Sequence, residues 1–234
     1  MPTIICKGLL FDMDGVLVDS TPAVARVWTR WAIKHNLDPD HAVMAAHGRT
    51  SLTSIQELLP DADPAIHLAE NDWMERAEIE DIDDIIALPG AKELLGAIPN
   101  SQFAIVTSAT RALAEVRLRA AGVWQYIQHL VTASDIQRSK PDPEPYLTGA
   151  AALQLHPQLC VVLEDAPSGI RSGKSAGARA LALRTTSRDN ELLAAGADWI
   201  ANDCASLHIA TSAKPGYLAL YLPAHEIPQL PKMR

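Results

Sequence analysis

The chain of 234 residues is long enough for one full domain plus a smaller insert, and 48% hydrophobic residues supply a sizeable core. Its 20 basic and 28 acidic residues leave a formal charge of −8 and a pI near 5.4, which disfavours nonspecific binding to nucleic acid or an anionic membrane. No run reaches membrane-spanning length, and Met1 to Lys7 is not a charged stretch leading into a long apolar one, so a cytoplasmic address is expected. The three cysteines, Cys6, Cys160 and Cys204, are odd in number and far apart, and read as reduced, buried small hydrophobes.

In chain order, Ile4, Ile5, Leu9, Leu10 and Phe11 predict a buried opening strand that delivers Asp12 and Asp14 to one point. Gly15 then lets the chain turn, so that Asp14 leaves the strand axis. Thr21-Pro22 starts a helix whose face is Ala23, Val24, Val27, Trp28 and Trp31. Helices near 39–46, 51–59 and 64–79 follow with no convincing strand, which predicts an all-helical insert over 20–85. The polar turn His47-Gly48-Arg49-Thr50 lies inside it, readable as a surface loop or as a pair of phosphate or hydroxyl contacts.

From Leu88-Pro89-Gly90 onward strands and helices alternate. Strands are expected at 103–106, 129–132, 159–163, 180–183 and 199–200, with helices between them. The succession predicts an α/β core, a doubly wound parallel sheet of Rossmann-like form, over 1–19 and 86–213. Residues 214–234, with Pro215, Pro223, Pro228 and Pro231, read as a C-terminal tail.

In such sheets the site lies beyond the carboxyl ends of the strands. The polar residues fall there: Asp12 and Asp14, then Thr107 and Ser108, then Glu164 and Asp165, with Lys140 from a connecting loop. Singly, each has a plainer structural reading as a turn acid, a helix cap or a solvated lysine. Together, in this order, they point to phosphoryl transfer around Mg²⁺. Asp12 is the expected nucleophile, forming an aspartyl-phosphate. Mg²⁺ is expected between Asp12, the backbone carbonyl of Asp14 and the acidic pair Glu164-Asp165. Lys140 and Ser108 are expected to stabilise the transferring oxygens. Asp14, two residues on, is the expected general acid and base.

These residues resemble the haloacid dehalogenase-like hydrolase superfamily over nearly the whole stretch from Leu9 to about Asp203. Asp12-Met13-Asp14-Gly15-Val16-Leu17-Val18-Asp19-Ser20 is similar to its first motif, Thr107-Ser108 to its second, Lys140 within Ser139-Lys140-Pro141-Asp142-Pro143 to its third, and Glu164-Asp165 to its fourth. The resemblance implies that Thr107, Ser108 and Lys140 bind phosphate. It also implies that the insert is a four-helix cap closing over the site, with His47 and Arg49 gripping the substrate.

Within the superfamily, Asp14 argues against dehalogenation, and Lys34, the sole lysine between Ser20 and Ile85, sits late in a helix rather than as a Schiff-base group. Mutases of the beta-phosphoglucomutase type carry a histidine just past the motif's last aspartate, where this chain has Thr21-Pro22-Ala23-Val24-Ala25. The resemblance therefore implies a phosphatase of small sugar or polyol phosphates, with a mutase as the alternative. A receiver-like phospho-signalling module is the reading from another class. The only partner expected is a small phosphate ester, on a monomer with a dimer left open.

Overall fold

A computed structural model describes residues 3–46 and 49–222. The opening apolar run is two strands, β1 (Thr3–Cys6) and β2 (Gly8–Phe11), where one was expected. The reason lies in their patterns of exposure. In β1 alternate residues face solvent, whereas β2 is buried throughout, so the two belong to different sheets and Lys7 marks the break.

A short strand β3 (Val18–Asp19) leads to helices α1 (Thr21–Lys34), α2 (Pro39–Ala46), α3 (Ser51–Leu58) and α4 (Pro64–Glu80). Pro22 and Pro64 occupy the first turns of α1 and α4, where a missing N–H costs nothing, and the Thr50 and Asp63 side chains cap α3 and α4. The four helices enclose their own core, with Val27, Trp28, Trp31, Ala42, Ile55 and Met74 inside. Strand β4 (Ile86–Ala87) then returns beside β3, so the two segments joining the helices to the rest pair antiparallel.

The remaining chain supplies α5 (Ala91–Ala97), β5 (Phe103–Val106), α6 (Arg111–Ala120), β6 (Leu130–Val131), α7 (Glu144–Ala152), β7 (Cys160–Glu164), α8 (Pro167–Ser175), β8 (Arg179–Leu183), α9 (Asp189–Ala194) and β9 (Trp199–Ala201). Six strands form one parallel sheet in the order β6-β5-β2-β7-β8-β9, with β2 inside it. The fold is the α/β doubly wound architecture expected. Alternating residues of β2 explain its central place: Leu9 and Phe11 join the core with α5 and α6, while Leu10 joins the core with α7. Each such side chain contributes about 1.5–3 kcal/mol of burial.

The tail boundary at 214 needs correction. Strands β10 (His208–Thr211) and β11 (Leu218–Tyr221) form a second sheet in which β11 lies between β10 and β1. Leu218, Leu220 and Leu222 are buried in the main core, so the segment through Leu222 is part of the body. An alternating apolar run after the Pro215-Gly216 turn was the signal, obscured by the neighbouring prolines. All three cysteines are free and buried, and burial pushes their thiols up to about 12 for Cys6 and Cys204 and about 11 for Cys160. With so little thiolate, the native protein should fail to react with a thiol-titrating disulfide reagent at pH 8, and guanidinium should release all three thiols. Rapid native labelling would contradict this packing.

Candidate active site

The order of strands reverses at β2, because the chain proceeds from β2 to β5 and β6 on one side and to β7, β8 and β9 on the other. A crevice opens beyond the strand ends at such a reversal. Asp12 follows β2 and its N–H donates to Leu163 O at 2.9 Å, which continues the ladder to β7 and fixes the start of the turn. Gly15 completes that turn with φ +76°, and a side chain there would collide with the Asp165 carboxylate. Glycine is required on both counts.

Lys140, from the loop before α7, is the centre of the charge arrangement. Its Nζ donates to Asp12 Oδ1 at 2.8 Å, Glu164 Oε1 at 2.7 Å and Val106 O at 3.1 Å, and its side chain is 4% exposed. Burial works against the ammonium charge, but Asp12 and Glu164 outweigh it and hold Lys140 above its ordinary value. Glu164 ends β7 with both oxygens occupied. Oε1 also accepts from the Tyr146 hydroxyl at 2.7 Å, and Oε2 accepts the N–H groups of Asp165 at 3.1 Å and Ala166 at 3.2 Å. Gly169 in α8 packs where any added methyl group would overlap this carboxylate.

Asp12, Glu164 and Asp165 each present a carboxylate oxygen within 4.8 Å of the others. One lysine cannot balance three acids, of which Glu164 and Asp165 are buried and Asp12 partly so. Burial pushes the Asp12 carboxyl up to about 7, with Glu164 and Asp14 adding to the rise against Lys140. Burial, then Glu164 and Asp12, hold Asp165 well above the carboxylate range, while the Thr186 hydroxyl donates to Asp165 Oδ2. A hard divalent cation with oxygen preference fits both this donor set and its excess negative charge.

Asp14 stands apart from that cluster. Its Oδ1 accepts from Ser20 Oγ at 2.5 Å and its Oδ2 from Arg117 Nη1 at 3.0 Å. The structure therefore separates the two aspartates by environment: Asp12 faces a lysine among acids, and Asp14 faces an arginine and a hydroxyl. Thr107 is buried after β5 and its Oγ1 accepts the N–H of Ala109 at 3.1 Å, while Ser108 lines the crevice beside it. Arg49 also reaches the crevice wall but is exposed and ion-paired with Glu57 of α3. His47 lies outside the described residues.

The crevice, of about 130 Å³, is lined by these groups and by Thr21, Val24 and Trp28 of α1, Glu78 of α4, and Leu113 and Arg117 of α6. Several were absent from the sequence reading. Arg117, Glu78, Tyr146 and Thr186 all hold polar contacts around the aspartates. For Arg117 a signal existed: Leu113, Ala114, Arg117 and Leu118 form one stripe of α6, so the arginine interrupts a buried face.

A 42% identity over 192 residues links the chain to hexitol phosphatase A of Escherichia coli (strain K12), covering 80% of this chain and 88% of the relative. Glycerol-1-phosphate phosphohydrolase 2 of Saccharomyces cerevisiae is 32% identical over 218 residues, covering 87% of this chain and 84% of the relative. Among solved structures, a hydrolase from Pseudomonas syringae superposes with a TM-score of 0.74 at 26% identity, covering 85% of this chain and 94% of that one. The profile of haloacid dehalogenase-like hydrolases matches residues 6–177, which takes in Asp12, Asp14, Lys140 and Asp165, and the chain belongs to that family.

Proposed function

We propose that the protein is a Mg²⁺-dependent phosphatase that hydrolyses a small sugar or polyol phosphate monoester through an aspartyl-phosphate on Asp12. The observation that carries the reading is Lys140 bridging Asp12 and Glu164 within a cluster of three acids at the ends of β2 and β7. Asp12, Asp165 and the backbone carbonyl of Asp14 would hold Mg²⁺, which when bound draws the phosphate to Asp12 and neutralises charge on its oxygens. Glu164, with both oxygens filled by donors, serves to fix Lys140 and the turn at Asp165-Ala166.

Asp12 attacks phosphorus as the ester oxygen departs, and Asp14 gives that oxygen its proton. Water then attacks the phosphoryl group, Asp14 takes a proton from that water, and the bond to Asp12 breaks as phosphate leaves. Lys140, Thr107 and Ser108 hold the transferring oxygens in place. The helical insert acts as a cap over 20–85, with Arg49, which lines the crevice, and His47 as its substrate-contacting residues. The names of the hexitol and glycerol phosphate phosphatases support the substrate class.

Thr21 and Val24, rather than a histidine, face the crevice from the first turn of α1. This favours water over a sugar as phosphoryl acceptor. A panel of hexitol, glycerol and hexose phosphates should therefore release inorganic phosphate only with Mg²⁺ present, and EDTA should reduce release to background. Incubation with a hexose 1-phosphate should yield no 6-phosphate isomer. Efficient isomerisation, or release that survives EDTA, would overturn the proposal.

A further inference from the structure

Arg117 is shared between two parts of the molecule. It lies on α6 of the core, is 5% exposed, and sends Nη1 to Asp14 Oδ2 at 3.0 Å and Nη2 to Glu78 Oε2 at 3.3 Å. Glu78 is on α4 of the helical insert and is itself 5% exposed. Burial raises the proton affinity of Glu78 and Arg117 opposes that rise. A second contact joins the same two helices, where the Thr110 hydroxyl at the start of α6 donates to Glu75 Oε1 at 2.5 Å. Glu75 and Glu78 are three residues apart and share a face of α4.

The grip on each acid is incomplete. A guanidinium is best satisfied when two parallel N–H groups meet one carboxylate as a fork. Here each acid receives a single guanidinium nitrogen, Glu78 having the Trp28 side chain as a further donor, and the buried Nε has no hydrogen-bond partner. Asp14, meanwhile, has donors on both oxygens, Ser20 on one and Arg117 on the other. Each oxygen keeps a second lone pair, but a charged donor on Oδ2 favours the carboxylate over its protonated form, so Asp14 serves better as an acid once Arg117 lets go.

We propose that Arg117 is a positioning residue that couples the helical insert to Asp14. When α4 settles against α6, Glu78 takes Nε and Nη2 together as a fork, and Asp14 is freed to face the ester oxygen. When α4 withdraws, Arg117 returns to Asp14 and holds it away from the reaction. The two carboxylates thus compete for one cation, which is the differential contact that any such coupling needs. This rests on reading Asp14 as the acid and base.

The test is Glu78→Gln, which keeps the shape of the side chain and removes its pull on Arg117. The expected result is a fall of about tenfold in kcat for a polyol phosphate with KM within about twofold, the pattern of a lost step after binding. The first-turnover burst of p-nitrophenolate from p-nitrophenyl phosphate should keep its wild-type rate, because that leaving group needs no proton. Unchanged kcat, or a raised KM alone, would overturn the coupling. An activity-independent measurement accompanies it. Glu78→Gln should lower Tm more in an Asp14→Asn background than in the wild type, since Arg117 then loses its last charged partner. Equal shifts in the two backgrounds would refute the sharing. Wild-type protein inert toward every ester would defeat the phosphatase reading, and the Tm comparison would still decide the sharing.

Discussion

Asp12→Asn should abolish phosphate release, by about 10⁴-fold or more in kcat, because the amide cannot supply the attacking oxygen and the steps that depend on it fail together. Loss of activity would by itself be ambiguous, so the companion measurement is stability. Asp12 sits among acids, and burial pushes its carboxyl up to about 7, which makes its negative charge a burden on the fold. Asparagine keeps the size and removes the burden, and Lys140 retains Glu164 at 2.7 Å. Urea unfolding of the variant at neutral pH should therefore give a stability equal to or above that of the wild type. An Asp12→Asn protein that still turns over would eliminate the aspartyl-phosphate mechanism. One that is inactive and unfolded would show that the residue is structural.

Lys140→Met has the opposite signature, losing both activity and stability. Removing the ammonium leaves buried Glu164 and partly buried Asp12 without their cation beside Asp165, and breaking a buried pair in this way costs about 3–5 kcal/mol. The transferring oxygens lose their charged donor as well, worth a further factor of about 10²–10³ in kcat. Arginine should not rescue it, since a 4% exposed side chain already packed over the Tyr146 ring at 5.0 Å leaves no room for a planar fork. Adding Glu164→Gln should restore part of the stability and none of the activity, because it removes one of the stranded charges but returns no donor to the phosphate. Full activity in Lys140→Met would remove the lysine from the reaction.

The acids and Lys140 were legible because a parallel sheet leaves its chemistry at strand ends, and those ends are marked by abrupt change from apolar runs to charge. Leu163 to Glu164 is such a boundary, and so is Phe11 to Asp12. The insert was legible too, since the apolar face of α1 repeats at helical spacing through Val24, Val27, Trp28 and Trp31. Less visible were partnerships that cross the fold. Arg117 and Asp14 are separated by 103 positions, and an arginine among Arg111, Arg117 and Arg119 reads as a solvated helix face until the stripe beside it is traced. Strand β11 was missed because the prolines around it obscure its alternating run, and one of its two partners, β1, lies far away in the sequence.

Strands β3 and β4 put the exit from the α/β core and the return to it side by side, Val18 against Ala87 and Asp19 against Ile86. To the sheet, everything between them is one side loop hung from a single hinge pin. Closing a longer or shorter loop costs only about 0.6 kcal/mol per doubling of its length, so the sheet is almost indifferent to what hangs there. Helices of another shape or size could thus hang between β3 and β4 while Asp12, Glu164 and Asp165 keep their places at the ends of β2 and β7.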